Sequence, residues 1–417
     1  MKLIKTPTKG MNDYLPAEVE LREYVKSVIA EEYAAAGFRR IETPAVEHIE
    51  NLTGKNGGDN EKLIFKIMKR GEKLTEAGAN EDKLCDSGLR YDLTVPLSRY
   101  YANNSAKLPA PFLAMQIGNV WRADRPQKGR FRQFTQCDID ILGDATPTAE
   151  ITLICATAGV LRKLGFDNFT VRINDRRLLK LSAAMCGFAP EDHDKVFIIL
   201  DKMDKIGLDG VKNELIESGF NAESVEKYIA LYEGVGTVTA EEFAAGIGDE
   251  AKEVAESLKF IMDCAAAATV GGCKLRFDPT LVRGMSYYTG TIFEVQMDGY
   301  GYSVGGGGRY DEMLGKFTGQ NAPACGFSLG FERIVGALAD SGFKVPAPAK
   351  SIAFLVEKNI DAESMLAMLE RANELRAVGH RVIVTSKMKN VFFQKTKLEE
   401  DGYTEFVVYG DHTVKTI

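Results

Sequence analysis

Three patterns of apolar and polar positions follow one another along this 417-residue chain. In residues 112–121, 131–142, 169–173 and 291–297, short apolar or alternating runs are broken by Gly and Pro, which predicts an antiparallel sheet. Between residues 181 and 264 the pattern becomes helical, with long stretches at 191–205, 211–218 and 250–268 and few strand signals. The chain therefore leaves the sheet for a helical insertion and then returns. At Lys344-Val-Pro-Ala-Pro-Ala-Lys350 two prolines disfavour helix and favour an extended connector. Beyond it, Ile352-Ala-Phe-Leu-Val, a helical stretch over 362–378, Val382-Ile-Val, a second helix over 392–400 and Phe406-Val-Val-Tyr alternate strand with helix. That alternation predicts a small, mainly parallel α/β domain. The expected plan is an α+β fold with a core of residues 1–180 and 265–340, an insertion at 181–264, a linker at 341–349 and a last domain at 350–417.

Composition narrows the possible classes. Hydrophobic residues make up 45% and charged residues 27%, as in ordinary globular proteins. No run approaches the ~18 apolar residues that a membrane helix needs. Lys2, Lys5 and Lys9 interrupt the N-terminus, so it lacks the apolar core of a secretory signal, and a cytoplasmic location is expected. Seven cysteines without a C-x-x-C pair suggest neither a zinc clip nor a disulfide framework. The formal charge of −7 argues against attraction of nucleic acid to the whole surface, yet leaves room for a local basic patch.

Familiar nucleotide motifs are missing. Gly315-Lys316 is followed by Phe317 rather than Ser or Thr, so it is no P-loop. Gly299-x-Gly301-x-x-Val304 lacks the third glycine of a dinucleotide fingerprint. The tract Gly305 to Gly308 is read either as a tight bend in a sheet or as bare backbone approached by a ligand.

The richest segment runs from Trp121 to Gly143. Pro126 and Gly129 mark a loop between two strands, and alternation places Arg130, Arg132, Gln136, Asp138 and Asp140 on one face of the second. Arg122 and Asp124 share a face of the incoming strand. Such a surface could hold an anion near Arg122 and a cation or hydrogen-bond donor near Asp140, or it could be a solvated face laced with ion pairs. Arginine suits phosphate because its planar fork donates bidentate bonds. In Leu89-Arg-Tyr-Asp-Leu-Thr-Val-Pro96 a similar alternation groups Arg90, Asp92 and Thr94, of which Asp92 and Thr94 could bind an ammonium group, although a plain surface strand would look the same. Gly326-Phe-Ser-Leu-Gly-Phe-Glu-Arg333 reads as strand, glycine and helix start, placing Arg333 in the first turns, where it could bind phosphate or serve a plain capping or salt-bridge role.

Together these segments resemble the histidyl-tRNA synthetase family of class II aminoacyl-tRNA synthetases, over nearly the whole chain. Motif 1 resembles Gly37-Phe-Arg-Arg-Ile-Glu-Thr-Pro44, motif 2 the segment from Arg122 to Gly143, and motif 3 the segment from Gly326 to Arg333. The histidine-specific signatures resemble Leu281-Val-Arg-Gly-Met-Ser-Tyr-Tyr288 and Gly307-Gly-Arg-Tyr310, and Gly10-Met-Asn-Asp-Tyr-Leu-Pro16 fits as well.

The resemblance implies a central antiparallel sheet with flanking helices, a helical insertion, a C-terminal anticodon-binding domain and a homodimer. It implies the activation of L-histidine with ATP and Mg2+ and its transfer to tRNA(His). By the same resemblance Arg122 holds the α-phosphate and Arg333 the γ-phosphate, Asp124 and Arg130 assist the nucleotide, and Arg283 stabilises charge as the carboxylate attacks. Asp92, Thr94 and Gln136 are implied at the α-amino and nearby groups, with Asp140, Tyr288 and Tyr310 around the imidazole. Arg125, Gln127 and Lys128 are implied at the acceptor end of the tRNA, while Lys387, Lys389, Lys395 and Lys397 could face the anticodon stem or be ordinary surface lysines. Ser286 stands where this signature usually has Asp, and the chain stops soon after Thr413 where relatives generally continue, which points to a shortened last element. Two rivals are the non-catalytic, synthetase-like regulatory subunit of ATP phosphoribosyltransferase and a class II synthetase for another amino acid. The three arginines and the additional C-terminal domain oppose the first, and the tyrosine signatures oppose the second.

Overall fold

The structure is a computed structural model. It describes residues 3–53, 59–77, 83–127, 129–269, 271, 273–284, 287–319, 322–346 and 350–417. The chain divides into two compact units, one of Met1–Asp13 and Val25–Asp340, the other of Tyr14–Tyr24 and Ser341–Ile417.

In the first unit, strand β1 (Arg39–Arg40) is followed by a small sheet of β2 (Val46–His48), β3 (Lys66–Met68) and β4 (Cys85–Leu89). The large sheet then adds β5 (Phe112–Trp121), β6 (Gln133–Leu142), β7 (Phe169–Asp175), β8 (Lys274–Phe277), β9 (Thr291–Met297), β10 (Ser303–Arg309) and β11 (Ala324–Gly330). Its order is β1-β5-β6-β11-β10-β9-β7-β8. Pairing from β5 through β7 is antiparallel, while β1 and β8 join the two edges in parallel. On β6 the alternate residues Cys137, Ile139 and Ile141 are fully buried in the core, which turns Gln136, Asp138 and Asp140 to the other face.

The glycine tract is no bend. Gly305 to Gly308 lie within the straight ladder of β10, between β9 and β11. A Cβ on Gly307 would stand 2.0 Å from the Gly326 carbonyl oxygen, and one on Gly308 would stand 2.6 Å from that of Thr291. Glycine is needed here for close strand approach rather than for a turn.

Helices fill the chain between β7 and β8, from Arg176–Met185 to Asp249–Ala268. The stretch read as one helix over 191–205 is broken instead: His193–Leu200 ends at Asp201, and Met203–Glu217 contains the non-helical Gly207 at φ 69°.

The second unit carries β12 (Ser351–Val356), β13 (Arg381–Ser386), β14 (Glu405–Gly410) and β15 (Thr413–Thr416) in the order β13-β12-β14-β15. β12 is parallel to both neighbours, and β15 pairs antiparallel with β14 at the edge. Ile352, Phe354 and Val356 pack with Met368 and Ala372 on one side of β12, and Ala353 and Leu355 with Tyr403 and Phe406 on the other. A strand covered on both faces reads as a continuous apolar run, as this one does.

Candidate active site

Two cavities open on the polar face of the large sheet, side by side. One, of about 480 Å³, is lined by Arg122, Asp124, Arg130 and Arg333. The other, of about 380 Å³, is lined by Asp92, Thr94, Asp138, Asp140 and Tyr310. Arg122, Gln136, Arg283, Tyr288, Gly306 and Ser328 line both.

The basic cavity is built from the ends of elements. Arg122 follows β5 directly, and its guanidinium lies 4.2 Å from the Tyr91 ring centroid and 5.1 Å from that of Phe134 while Nε donates to the Tyr91 carbonyl at 3.1 Å. Aromatic faces on two sides fix its plane. Arg333 is the third residue of the helix Phe331–Asp340 and donates to the Ser303 carbonyl at 2.5 Å. Burial, together with the neighbouring charges of Arg283 and Arg130, lowers the pKa of Arg333. The Arg283 guanidinium pairs with Glu294 on β9 and donates to the Ser303 hydroxyl at 2.8 Å. Behind it, Arg172 on β7 bridges Glu294 at 3.4 Å and Asp278 at 2.7 Å. Ser303 thus anchors two arginines that repel each other, which favours a polyanion between them.

The acidic cavity has a different character. Tyr310 is buried, and its hydroxyl donates to Asp140 Oδ1 at 2.5 Å. Burial raises the Asp140 pKa to about 7, against which the Tyr310 hydrogen bond acts. Burial likewise raises Asp138, with Asp140 adding to the shift, and Asp92. The rings of Tyr287 and Tyr288 stand nearly perpendicular with centroids 5.1 Å apart, and Tyr287 lies 5.5 Å from Tyr310. Burial raises both Tyr288 and Tyr310, so both remain phenols and can donate hydrogen bonds.

Most residues expected at the site are brought together here. The strand alternation of Arg90, Asp92 and Thr94 is corrected, however. β4 ends at Leu89, and a helix begins at Thr94 (Thr94–Asn104). Asp92 Oδ1 accepts from the N–H groups of Thr94 and Val95 at 3.1 and 3.0 Å, capping that helix, so Asp92 and Thr94 reach the cavity through a turn rather than a pleat. Arg90 instead turns inward and donates to the carbonyls of Thr43 and Asn119. Arg125 and Gln127 are exposed on the β5–β6 hairpin, closed by the Gln127 and Arg130 backbone pair, and line neither cavity. Lys128 and Ser286 lie outside the described residues. In the second unit Lys387 pairs with Glu357 and Lys397 with Glu400, while Lys395 sits 5.1 Å from the Phe406 ring centroid.

The site also contains residues for which the sequence reading gave no role. Asp138 was visible through its period-two spacing with Gln136 and Asp140, and Tyr287 through its place beside Tyr288. Ser303, Ser328 and Glu294 gave no signal, because their position depends on strand pairing between distant segments.

A family model described as histidyl-tRNA synthetase matches residues 10–334. The chain belongs to the histidyl-tRNA synthetase family. A histidine--tRNA ligase of Leifsonia xyli is 43% identical over 96% of this chain and 94% of its own. The crystal structure of histidyl-tRNA synthetase from Nostoc sp. PCC 7120 superposes with a TM-score of 0.81, at 26% identity, over 98% of this chain and 92% of that one. A Bacillus halodurans structure titled ATP phosphoribosyltransferase regulatory subunit/histidyl-tRNA synthetase has a TM-score of 0.78 at 22% identity, covering 99% of this chain and 100% of that one. That last likeness shows the fold alone. Membership in the family establishes the class II synthetase sheet as this chain's fold.

Proposed function

We propose that this histidyl-tRNA synthetase family member activates L-histidine with ATP to histidyl-adenylate and transfers the histidyl group to tRNA(His). The observation that carries the reading is the junction of the two cavities, where a basic nucleotide-sized space and an acidic, tyrosine-lined one share Arg122 and Arg283. Histidine sits in the acidic cavity with its imidazole between Asp140, Tyr288 and Tyr310. A ring with two nitrogens leaves these groups unpaired if an apolar ring takes its place, which rejects that competitor strongly. Asp92, Thr94 and Gln136 face the amino end.

ATP fills the basic cavity. Arg122 holds the α-phosphate and Arg333 the γ-phosphate, with Asp124 and Arg130 beside the nucleotide. The histidine carboxylate attacks the α-phosphorus, a P–O bond to it forms, and the bond to the departing pyrophosphate breaks. Arg122 and Arg283 offset the charge that builds up at the α-phosphate. No enzyme nucleophile is needed, so positioning and electrostatics supply the rate. Magnesium enters bound to ATP as part of the substrate, and the carboxylates of Asp124 and Glu332 on the cavity wall are oxygen donors of the kind it accepts.

Arg125, Gln127 and Lys128 on the hairpin meet the acceptor end of the tRNA through phosphates and base edges. The unit containing β12 to β15 reads the anticodon. The short exposed edge strand β1, in motif 1, lies at a homodimer interface, an arrangement that covers an open sheet edge. A cytoplasmic site of action fits bacterial relatives and the finding that no described helix is long and apolar enough to cross a membrane.

Amino-acid-dependent exchange between ATP and pyrophosphate, run with each standard amino acid in turn, tests this reading. Exchange with histidine alone is expected. Absence of exchange from folded protein that still binds histidine would replace the synthetase with a non-catalytic histidine-binding regulator.

A further inference from the structure

Three side chains on the cavity face of β6 each hold a buried oxygen that lacks a hydrogen-bond partner among the described residues: Gln136 Oε1, Asp138 Oδ1 and Asp140 Oδ2. A buried acceptor without a donor costs about 1–3 kcal/mol, so three in a row on one wall mark a surface shaped for donors that arrive from outside. The family reading gives roles to Gln136 and Asp140 but none to Asp138, which is only 3% exposed and lines the same cavity.

Several polar side chains around Asp138 are directed at other partners. Gln136 Nε2 donates to Ser328 Oγ at 3.1 Å and approaches Asp138 Oδ2 at 3.5 Å, and Ser328 also hydrogen-bonds the Asp138 carboxyl. In the ladder, Asp138 stands opposite Ser328 on β11 and Gln116 on β5. Gln116 is directed elsewhere, donating to the Leu93 carbonyl and accepting from Thr43. Asp140, Asp92 and Arg122 are the charged groups that act on Asp138 within the cavity, and Arg90 and the phenols of Tyr33 and Tyr288 feel its charge from the surrounding elements. Nearby, Asp92 Oδ1 is taken up by the N–H groups of Thr94 and Val95.

A histidine molecule brings three ammonium N–H donors and a full positive charge to this wall. We infer that Asp138 is a direct partner of the substrate α-ammonium, its Oδ1 acting with Gln136 Oε1 and Asp92 to select an amino acid with a free amino group. This rests on the reading of the acidic cavity as the histidine site. It assigns separate tasks to two carboxylates only two residues apart: Asp140, tied to Tyr310, takes the ring, and Asp138 takes the amino end. Both are held toward the neutral form by burial, so an entering cation is what allows Asp138 to ionise beside Asp140.

The test is titration calorimetry of the full-length protein with histidine, with histidinol, with 3-(imidazol-4-yl)propionate and with ATP. Histidinol keeps the ammonium but lacks the carboxylate, and the propionate lacks the ammonium. Asp138→Asn is expected to weaken histidine and histidinol at least tenfold while leaving the propionate and ATP within about twofold. Asp138→Ser provides a second test with a smaller side chain, and unchanged ATP binding shows that either variant is folded. Equal affinity of wild type and variants for histidine would overturn the role of Asp138, and so would equal losses for histidine and the propionate. Wild-type protein that binds ATP but no histidine would overturn the reading of the cavity itself, and this inference with it.

Discussion

The Tyr310 hydroxyl donates to Asp140 Oδ1 at 2.5 Å, while Asp140 Oδ2 is buried without a partner among the described residues. One oxygen is thus fixed by the protein and the other is presented to the cavity. A carboxylate oriented in this way meets a ring N–H without first having to reorganise.

The same pair makes stability depend on pH. Asp140 has a folded-state pKa of about 7, above the ordinary value of 3.8, so the folded state holds a proton that the unfolded chain has lost between those pH values. The unliganded protein therefore loses stability relative to Asp140→Asn as pH rises from about 4 to 7, and the difference levels off above that. A shift of this size corresponds to about 4 kcal/mol. Thermal unfolding of both proteins from pH 4 to 8 checks this, and curves that stay parallel would refute it.

Removing either Arg122 or Arg333 should abolish the first chemical step while sparing the fold. Arg122→Ala and Arg333→Ala are expected to lower histidine-dependent ATP–pyrophosphate exchange by at least about 10²-fold, the scale seen when one charge-stabilising donor is lost. Near-normal exchange from either folded variant would remove that arginine from the reaction.

Tyr310→Phe deletes one hydroxyl and leaves Asp140 Oδ1 without its donor. Histidine affinity should fall about tenfold or more, with ATP affinity unchanged, as measured by calorimetry. Equal losses for both ligands would mean that the substitution disturbs the sheet rather than the ring site.

Glu294 holds the Arg283 guanidinium in place. Glu294→Gln should lower kcat about tenfold with a smaller change in KM for histidine, because the arginine then samples more orientations as charge develops. Glu294→Asp should recover part of the loss. A change confined to KM would contradict a positioning role.

Gly307 tests the packing of the glycine strand. A Cβ there would overlap the Gly326 carbonyl at 2.0 Å, so Gly307→Ala must separate β10 from β11 and should cost about 3 kcal/mol or more. Denaturant unfolding measures the loss, and a stability within 1 kcal/mol of wild type would show that the strands can yield.

Much of this was legible in sequence because it depends on local period. Period two on β6 placed Gln136, Asp138 and Asp140 together, and the apolar run at Ile352 announced a strand of a mainly parallel α/β domain. Where a side chain replaced the backbone pattern, the reading failed: Asp92 caps a helix, and a capping turn mimics two positions of a strand. The four glycines of β10 were equally ambiguous, since conformational freedom and absence of bulk are written with the same residue. Ser303 and Glu294 could not be found by any local rule, as they meet Arg283 only after β9 and β10 have paired.

Six of the described residues line both cavities, so the two spaces lie side by side against the same side chains. The adenylate formed from them bridges the whole space and gains the contacts of both halves at once, with the second half already delivered at high effective concentration. The enzyme should therefore grip its own intermediate far more tightly than either reactant. That retention would shield a hydrolysable mixed anhydride during the interval before a tRNA arrives, so storage of the activated amino acid follows from the same shared side chains that let it form.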